Sequence, residues 1–171
     1  MGKHSIFMEQ IVCKYHPDFV KSKDLQEYGK KYPEIFNIER LIEESLSAVG
    51  GYDFVDEDGR DFNCPYDSDS KTVSVINNCN HSQRRVIIIQ NVENKIGSLR
   101  VTIYNPFNEK IDFMYIPKKY VQSLMENTGT VGRASGLKQR IRASWSDWKD
   151  NYNRLERFRL KSFEELAKAQ G

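Results

Sequence analysis

Hydrophobic and polar positions follow three different periods along this chain. In the first, Ile38, Leu41, Ile42, Ser45 and Leu46 recur at steps of three and four, the spacing that stacks side chains on one face of an α-helix. Asn37 offers an N-cap ahead of that face, and Gly50-Gly51 stops it. From Tyr52 onward the period shortens. Residues 52–57 and 60–63 flank Asp58-Gly59, a two-residue hairpin signal. With that loop, Glu57 pairs with Arg60, Asp56 with Asp61 and Val55 with Phe62. Residues 69–76 follow Pro65 as a strand in which Lys71, Val73 and Val75 share a face. Residues 85–90 contain Val-Ile-Ile-Ile, the run of a strand buried on both sides. Residues 99–104 and 111–116 are two more strands, joined through Asn105-Pro106-Phe107-Asn108. Helix returns after Pro117. Leu137, Ile141, Trp145, Trp148, Tyr152, Leu155 and Phe158 then step by four and three, which predicts one helix of about 22 residues. A short helix over 163–169 ends the chain. The expected architecture is α/β: a central mixed sheet of about five strands flanked by N-terminal and C-terminal helices.

Composition narrows the class. A chain of 171 residues with 39% hydrophobic and 12% aromatic content suits one globular domain, 1–171, with a real core. No run approaches the roughly 18 apolar residues of a membrane helix, and charges between Lys3 and Lys14 interrupt any signal-peptide core. Cys13, Cys64 and Cys79 are an odd number in a chain that needs no staple, which points to free thiols and a cytoplasmic location. The formal net charge is only +2, but its distribution is uneven. Nine basic residues between Arg133 and Lys161 face three acids, while acids gather between Asp53 and Asp69. A basic region beside an acidic cluster fits a protein that holds a polyanion and places cations on it; a solvated face plus an acidic loop is the plainer alternative. The Trp and Tyr residues of the C-terminal stripe read as core rather than as base-stacking platforms.

The candidate chemistry lies in residues 51–75. Asp69 and Lys71, one residue apart at the head of a strand, point to the same face. A carboxylate holds Mg²⁺ with hard oxygen, and a neighbouring lysine orients or deprotonates a water and offsets phosphate charge. The hairpin supplies a second carboxylate, Asp61, whose direct opposition to Asp56 is destabilising unless a cation sits nearby. Asp53, on the other face, is held in reserve.

An acid on one strand, a short connection and then Asp69-Ser70-Lys71 at the head of the next resembles the PD-(D/E)xK motif of restriction-endonuclease-like nucleases. A following buried strand, further strands, flanking helices and a preceding helix bearing Glu43 and Glu44 fit the same resemblance, which covers residues 39–116 as a catalytic core and leaves 117–171 as a basic helical region. The resemblance implies Mg²⁺-dependent hydrolysis of phosphodiesters in double-stranded DNA, restriction-type, leaving a 5′-phosphate and often carried out by a homodimer. It implies metal ligation by Asp61, Asp69 and the Ser70 carbonyl, water activation by Lys71, and support from Glu43 or Glu44. No proline precedes Asp61, and Asp69 stands where glutamate is commoner. Arg133 and Lys138 in the connector and Arg140 and Arg142 beyond it are candidate DNA contacts.

Other readings are open. Asp67-Ser-Asp69 resembles the start of haloacid-dehalogenase phosphatases, but Lys71 stands where that motif takes a small or β-branched residue. Cys13, His16, Cys79 and His81 form a conceivable zinc set, though the second spacing is tight. From another class comes a non-catalytic DNA-binding or interaction module that uses the basic C-terminal helix alone.

Overall fold

The structure, a computed structural model, describes residues 7–15, 38–57, 60–63, 66–77, 84–92, 97–127 and 139–171. A π-helical stretch, Met8–Val12, runs into α1 (Cys13–Tyr15), and α2 spans Ile38–Gly50. The five positions of the helical pattern, Ile38, Leu41, Ile42, Ser45 and Leu46, are the buried residues of α2. Gly51 ends it with φ +74°, a conformation that favours glycine. The proposed cap, Asn37, lies outside the described residues.

Next come β1 (Phe54–Glu57), β2 (Arg60–Phe62), β3 (Ser68–Ser74), β4 (Ile76–Asn77), β5 (Arg85–Gln90), β6 (Ser98–Asn105) and β7 (Lys110–Ile116). The chain continues with α3 (Lys118–Leu124), β8 (Glu126–Asn127), β9 (Gln139–Trp145), a 3-10 helix (Asn153–Phe158), β10 (Arg159–Leu160) and α4 (Phe163–Lys168). The fold is α/β, but the expected sheet of about five strands is two sheets: a mixed six-stranded one in the order β1-β2-β3-β6-β7-β10, and a four-stranded one in the order β4-β5-β9-β8. The chain passes from one to the other at Val75, whose N–H still donates to Tyr104 at 2.9 Å before β4 joins β5.

The long C-terminal helix does not form. Ile141 and Trp145 are four residues apart, and four is a multiple of two as well as a near-turn of helix; with Ala143 between them they are the inward face of β9. A turn over 147–150 follows, with Asp150 and Asn153 at φ +47° and +51°, which no continuous helix tolerates. Tyr152, Leu155 and Phe158 are then spaced by three because the segment is a 3-10 helix. All three are buried, as expected of core residues, but Trp148 is 79% exposed.

The β1–β2 register also differs from expectation. Glu57 faces Arg60 as read, but Phe54 rather than Val55 faces Phe62. Val55 and Asp56 together span Asp61, a bulge in β1, so the one-to-one opposition of Asp56 and Asp61 is absent.

The six-stranded sheet has a different core on each face. Helices α2 and α4 and the N-terminal helical stretch pack Phe7, Leu41, Ile42, Leu46, Phe163 and Leu166 against one side with Phe62 and Tyr104. Leu99, Val101 and Ile103 of β6 pack from the other side against Ile87, Ile89 and Ile141 of the second sheet. Buried on both faces, β6 is covered along all eight residues. Among the described residues no helix is long and apolar enough to cross a membrane.

Candidate functional site

β2 and β3 are antiparallel with Phe62 facing Ser68. One residue further along that register, Asp61 stands across from Asp69. Phe62 belongs to the helix-side core, so strand alternation sends Asp61 and Asp69 to the opposite face, and Lys71 follows Asp69. Asp61 and Asp69 are 7% and 5% exposed, too buried to be a solvated acidic loop. Asp61 Oδ2 accepts the backbone N–H of Ser70 at 2.8 Å, which ties β2 to β3 at the motif itself. Lys71 Nζ lies 3.5 Å from Asp69 Oδ2. A charged pair this buried is oriented by its surroundings rather than by chance surface contact.

These groups border a cavity of about 480 Å³, and Ser70, Glu43 and Glu39 line it too. Glu39 and Glu43 are one helical turn apart on α2, so both reach the cavity from the same helix face. The opposite wall is Ile88 and Gln90 of β5. Asp61, Asp69, Ser70, Lys71 and Glu43, singled out along the sequence, thus meet at one place. Glu44 does not join them: it accepts from Arg40 Nε at 3.1 Å along the helix. Asp53, the reserve, is exposed ahead of β1 and lies outside the cavity lining. Glu39 and Gln90 were not anticipated. The signal for Glu39 was its i,i+4 relation to Glu43; nothing local marks Gln90.

The cationic candidates change context. Arg140 and Arg142 sit on a strand, not a helix, and their partners across β5 are Gln90 and Ile88. Cross-strand partners share a face, so both arginines lie on the same face of the second sheet as those two residues, outside the cavity lining itself. Arg140 Nε is 3.5 Å from Glu126 Oε1. Arg133 and Lys138 lie outside the described residues, as do His16, Cys79 and His81 of the zinc alternative.

The donor set is one of hard oxygens: two carboxylates on adjacent strands and the carbonyl of Ser70, which follows Asp69 in sequence, a set that suits Mg²⁺ or another oxygen-seeking divalent ion. Among the described residues no group of three or more His, Cys, Asp or Glu side chains stands close enough together to hold a metal. Glu43 therefore shares the cavity without completing a third carboxylate ligand.

No family model matches the chain, and neither a curated protein nor a solved structure matches it.

Proposed function

We propose that this chain is a divalent-metal-dependent nuclease of the restriction-endonuclease-like kind, acting on phosphodiesters of DNA. The observation that carries the reading is the convergence of Asp61, Asp69 and Lys71 from two adjacent strands on one cavity, with acids of the preceding helix at its rim. Two buried carboxylates beside a lysine are costly to fold around, and such a cluster opening on a cavity marks chemistry more often than packing. Asp61, Asp69 and the Ser70 carbonyl would hold the Mg²⁺ ion. When bound, the ion offsets phosphate charge and makes its water more acidic. Lys71, oriented by Asp69, directs the attacking water and takes its proton or stabilises the charge that develops on the phosphoryl oxygens. The Ser70 N–H keeps Asp61 turned toward Asp69. Arg142 and Arg140, on the face continuous with Ile88 and Gln90, hold the flanking phosphates of the strand. Cutting both strands of a duplex calls for two such cavities, hence a homodimer during cleavage.

The test is plasmid cleavage in about 5 mM Mg²⁺, a level suited to weak carboxylate-held Mg²⁺, with an EDTA control and Lys71→Ala alongside. We expect cleavage by the wild-type protein, none in EDTA, and a loss of about 10²- to 10⁴-fold in Lys71→Ala with DNA binding retained. Equal nicking by wild type and Lys71→Ala would overturn the assignment.

The lack of a third clustered carboxylate among the described residues favours one other reading: a DNA-binding module without catalysis, using the Arg140 and Arg142 face of β9. It is separated by the same assay, because it predicts DNA binding that falls with Arg142→Ala but no Mg²⁺-dependent cleavage by wild type or Lys71→Ala.

A further inference from the structure

A second cavity, about 720 Å³, opens near the other end of β5. Its walls are cationic and aromatic. Arg85 lies with its guanidinium carbon 3.9 Å from the centroid of Phe107 and 5.6 Å from that of Trp145, and those two rings are nearly parallel at 19°. Arg84 and Trp148 stand at the same opening. Phe107 is 37% exposed and Trp148 79%, the latter the most exposed large hydrophobic side chain among the described residues.

That indole is not on a loose loop. Ser146 and Asn151 exchange backbone hydrogen bonds of 2.9 and 3.2 Å across the turn that carries it. Trp145 Nε1 donates to Asp150 Oδ1 at 3.3 Å, and Arg159 Nη1 donates to the Asp150 carbonyl at 2.6 Å. A braced turn that holds an indole in water forgoes its burial, which is the usual price of a binding platform. The walls also carry hydrogen-bonding capacity. Asp147 Oδ2 accepts from Arg85 at 3.0 Å, which sets a donor and an acceptor side by side. The Ser146 hydroxyl, buried at the wall, has no hydrogen-bond partner among the described residues.

We propose that this cavity binds an unpaired nucleobase of a nucleic-acid strand: the base stacks on Trp148, its edge meets the Arg85–Asp147 pair and Ser146, and Arg84 takes the adjoining phosphate. Aromatic faces interleaved with arginines are the chemistry of single-strand recognition, because every base has a stacking face and every nucleotide a phosphate. A phosphate-only ligand fits less well, since Asp147 stands in the wall. The volume accommodates a nucleotide.

The position relates the cavity to the carboxylate site. Ser144 lines the second cavity and lies two residues from Arg142 on the same face of β9. Both cavities therefore lie along the β5–β9 strand pair. A shared substrate for the two rests on the nuclease reading; the base site itself does not. If both hold, the preferred substrate is DNA with an unpaired segment, cut near the held base.

The experiment is a binding titration in EDTA, which removes cleavage from the readout, with a 12-nucleotide oligothymidine and with a blunt duplex of equal length. Tryptophan fluorescence and anisotropy of labelled DNA are followed for wild type, Trp148→Ala, Trp148→Phe and Lys71→Ala. We expect the single strand to quench the wild-type emission, Trp148→Ala to bind it at least about tenfold more weakly, Trp148→Phe to recover most of that loss, and Lys71→Ala to bind as wild type. Trp148 is so exposed that its replacement leaves folding intact, checked by an unchanged melting temperature. Equal affinity of wild type and Trp148→Ala for the single strand, equal quenching by the blunt duplex, or no binding of either would overturn the proposal. Absence of plasmid cleavage together with Trp148-dependent binding would sink the nuclease reading and leave the base site standing.

Discussion

β3 and β6 carry buried charge on both faces of the same sheet, and the two faces treat it in opposite ways. On the helix side Arg100 has no exposed surface and, among the described residues, no carboxylate partner. Its Nε donates to Ser68 Oγ at 2.8 Å, Nη1 to the carbonyls of Leu166 and Ala167, and Nη2 to that of Ala169 at 2.7 Å. The rings of Tyr115, Tyr52 and Tyr66 surround it at 5.0, 5.5 and 5.5 Å. The cation thus closes the carbonyl end of α4, where the helix dipole is negative, and clamps that helix to the head of β3. Burial pushes its pKa down, partly offset by the tyrosines, but an arginine starts so high that it stays charged. On the other face Asp61 and Asp69 are nearly as buried, with half-buried Lys71 beside them, yet they border a cavity of about 480 Å³. Buried charge by itself does not mark a site. A charge whose polar groups are turned into protein holds the fold together, and one turned toward open volume is available to a ligand.

Exchanging the two roles is the strongest way to break that comparison. Arg100→Met keeps the volume but leaves three carbonyls and the Ser68 hydroxyl without their donor. We expect a loss of about 4 kcal/mol in stability by chemical denaturation, with α4 released from the sheet. Lys71→Ala, beside an open cavity, should lose no more than about 2 kcal/mol. Comparable losses for the two variants would mean that both clusters are structural.

A smaller effect separates position from chemistry. Gly97 precedes β6 and lies against the approach to β3: a Cβ there would meet the Asp67 carbonyl oxygen at 2.5 Å and its carbon at 2.9 Å. Both are backbone atoms, so relief requires the two strands to part, and Asp69 is two residues away. On the nuclease reading, Gly97→Ala should therefore slow cleavage by about 10²-fold, the effect of misplacing reacting groups by roughly 1 Å. On the base-site proposal, binding of single-stranded DNA at Trp148, in the turn beyond the end of β9, should stay at the wild-type level. A rate unchanged in Gly97→Ala would show that the head of β3 tolerates movement.

How far the sequence reached differs between these regions for physical reasons. The α2 face was legible because five positions at helical spacing leave no alternative period, and Asp69 and Lys71 because a strand head fixes side-chain direction locally. The opposition of Asp56 and Asp61 was misread, since the bulge in β1 shifts that hairpin by a residue without any local signal. The C-terminal stripe misled because steps of four serve strands and helices alike, and steps of three serve a 3-10 turn. Arg100 was invisible for another reason. Apart from the Ser68 hydroxyl, its partners are carbonyls 66 to 69 residues away, and backbone acceptors leave no trace in composition. The same holds for Arg85 and Phe107, brought together by tertiary packing alone.

The finest distinction falls inside the arginine cage. Burial pushes the Tyr52 phenol up to about 12, against the lowering effect of nearby Arg100, and pushes Tyr152 up as well, with Asp112 adding to it. A phenol with a raised pKa contributes stability that is complete below about pH 10, its unfolded value, and is lost as pH rises through the folded value, because the unfolded chain gives up its proton first. Tyr52 alone accounts for about 2–3 kcal/mol lost between roughly pH 10 and 12. At neutral pH, however, its hydroxyl is buried with no hydrogen-bond partner among the described residues, while its ring packs on Tyr66 at 4.3 Å and Phe62 at 5.0 Å. Tyr52→Phe keeps the ring over Arg100 and removes the orphaned group. We expect denaturation at pH 7 to show a change between zero and about 1 kcal/mol in favour of the variant. The alkaline decline should become shallower without vanishing, because Tyr152 of the unfolded chain gives up its proton there while the buried phenol of the folded chain keeps it. A variant that is less stable at pH 7 and declines as steeply as wild type would mean that the cage depends on the Tyr52 oxygen, not its ring, to hold the guanidinium.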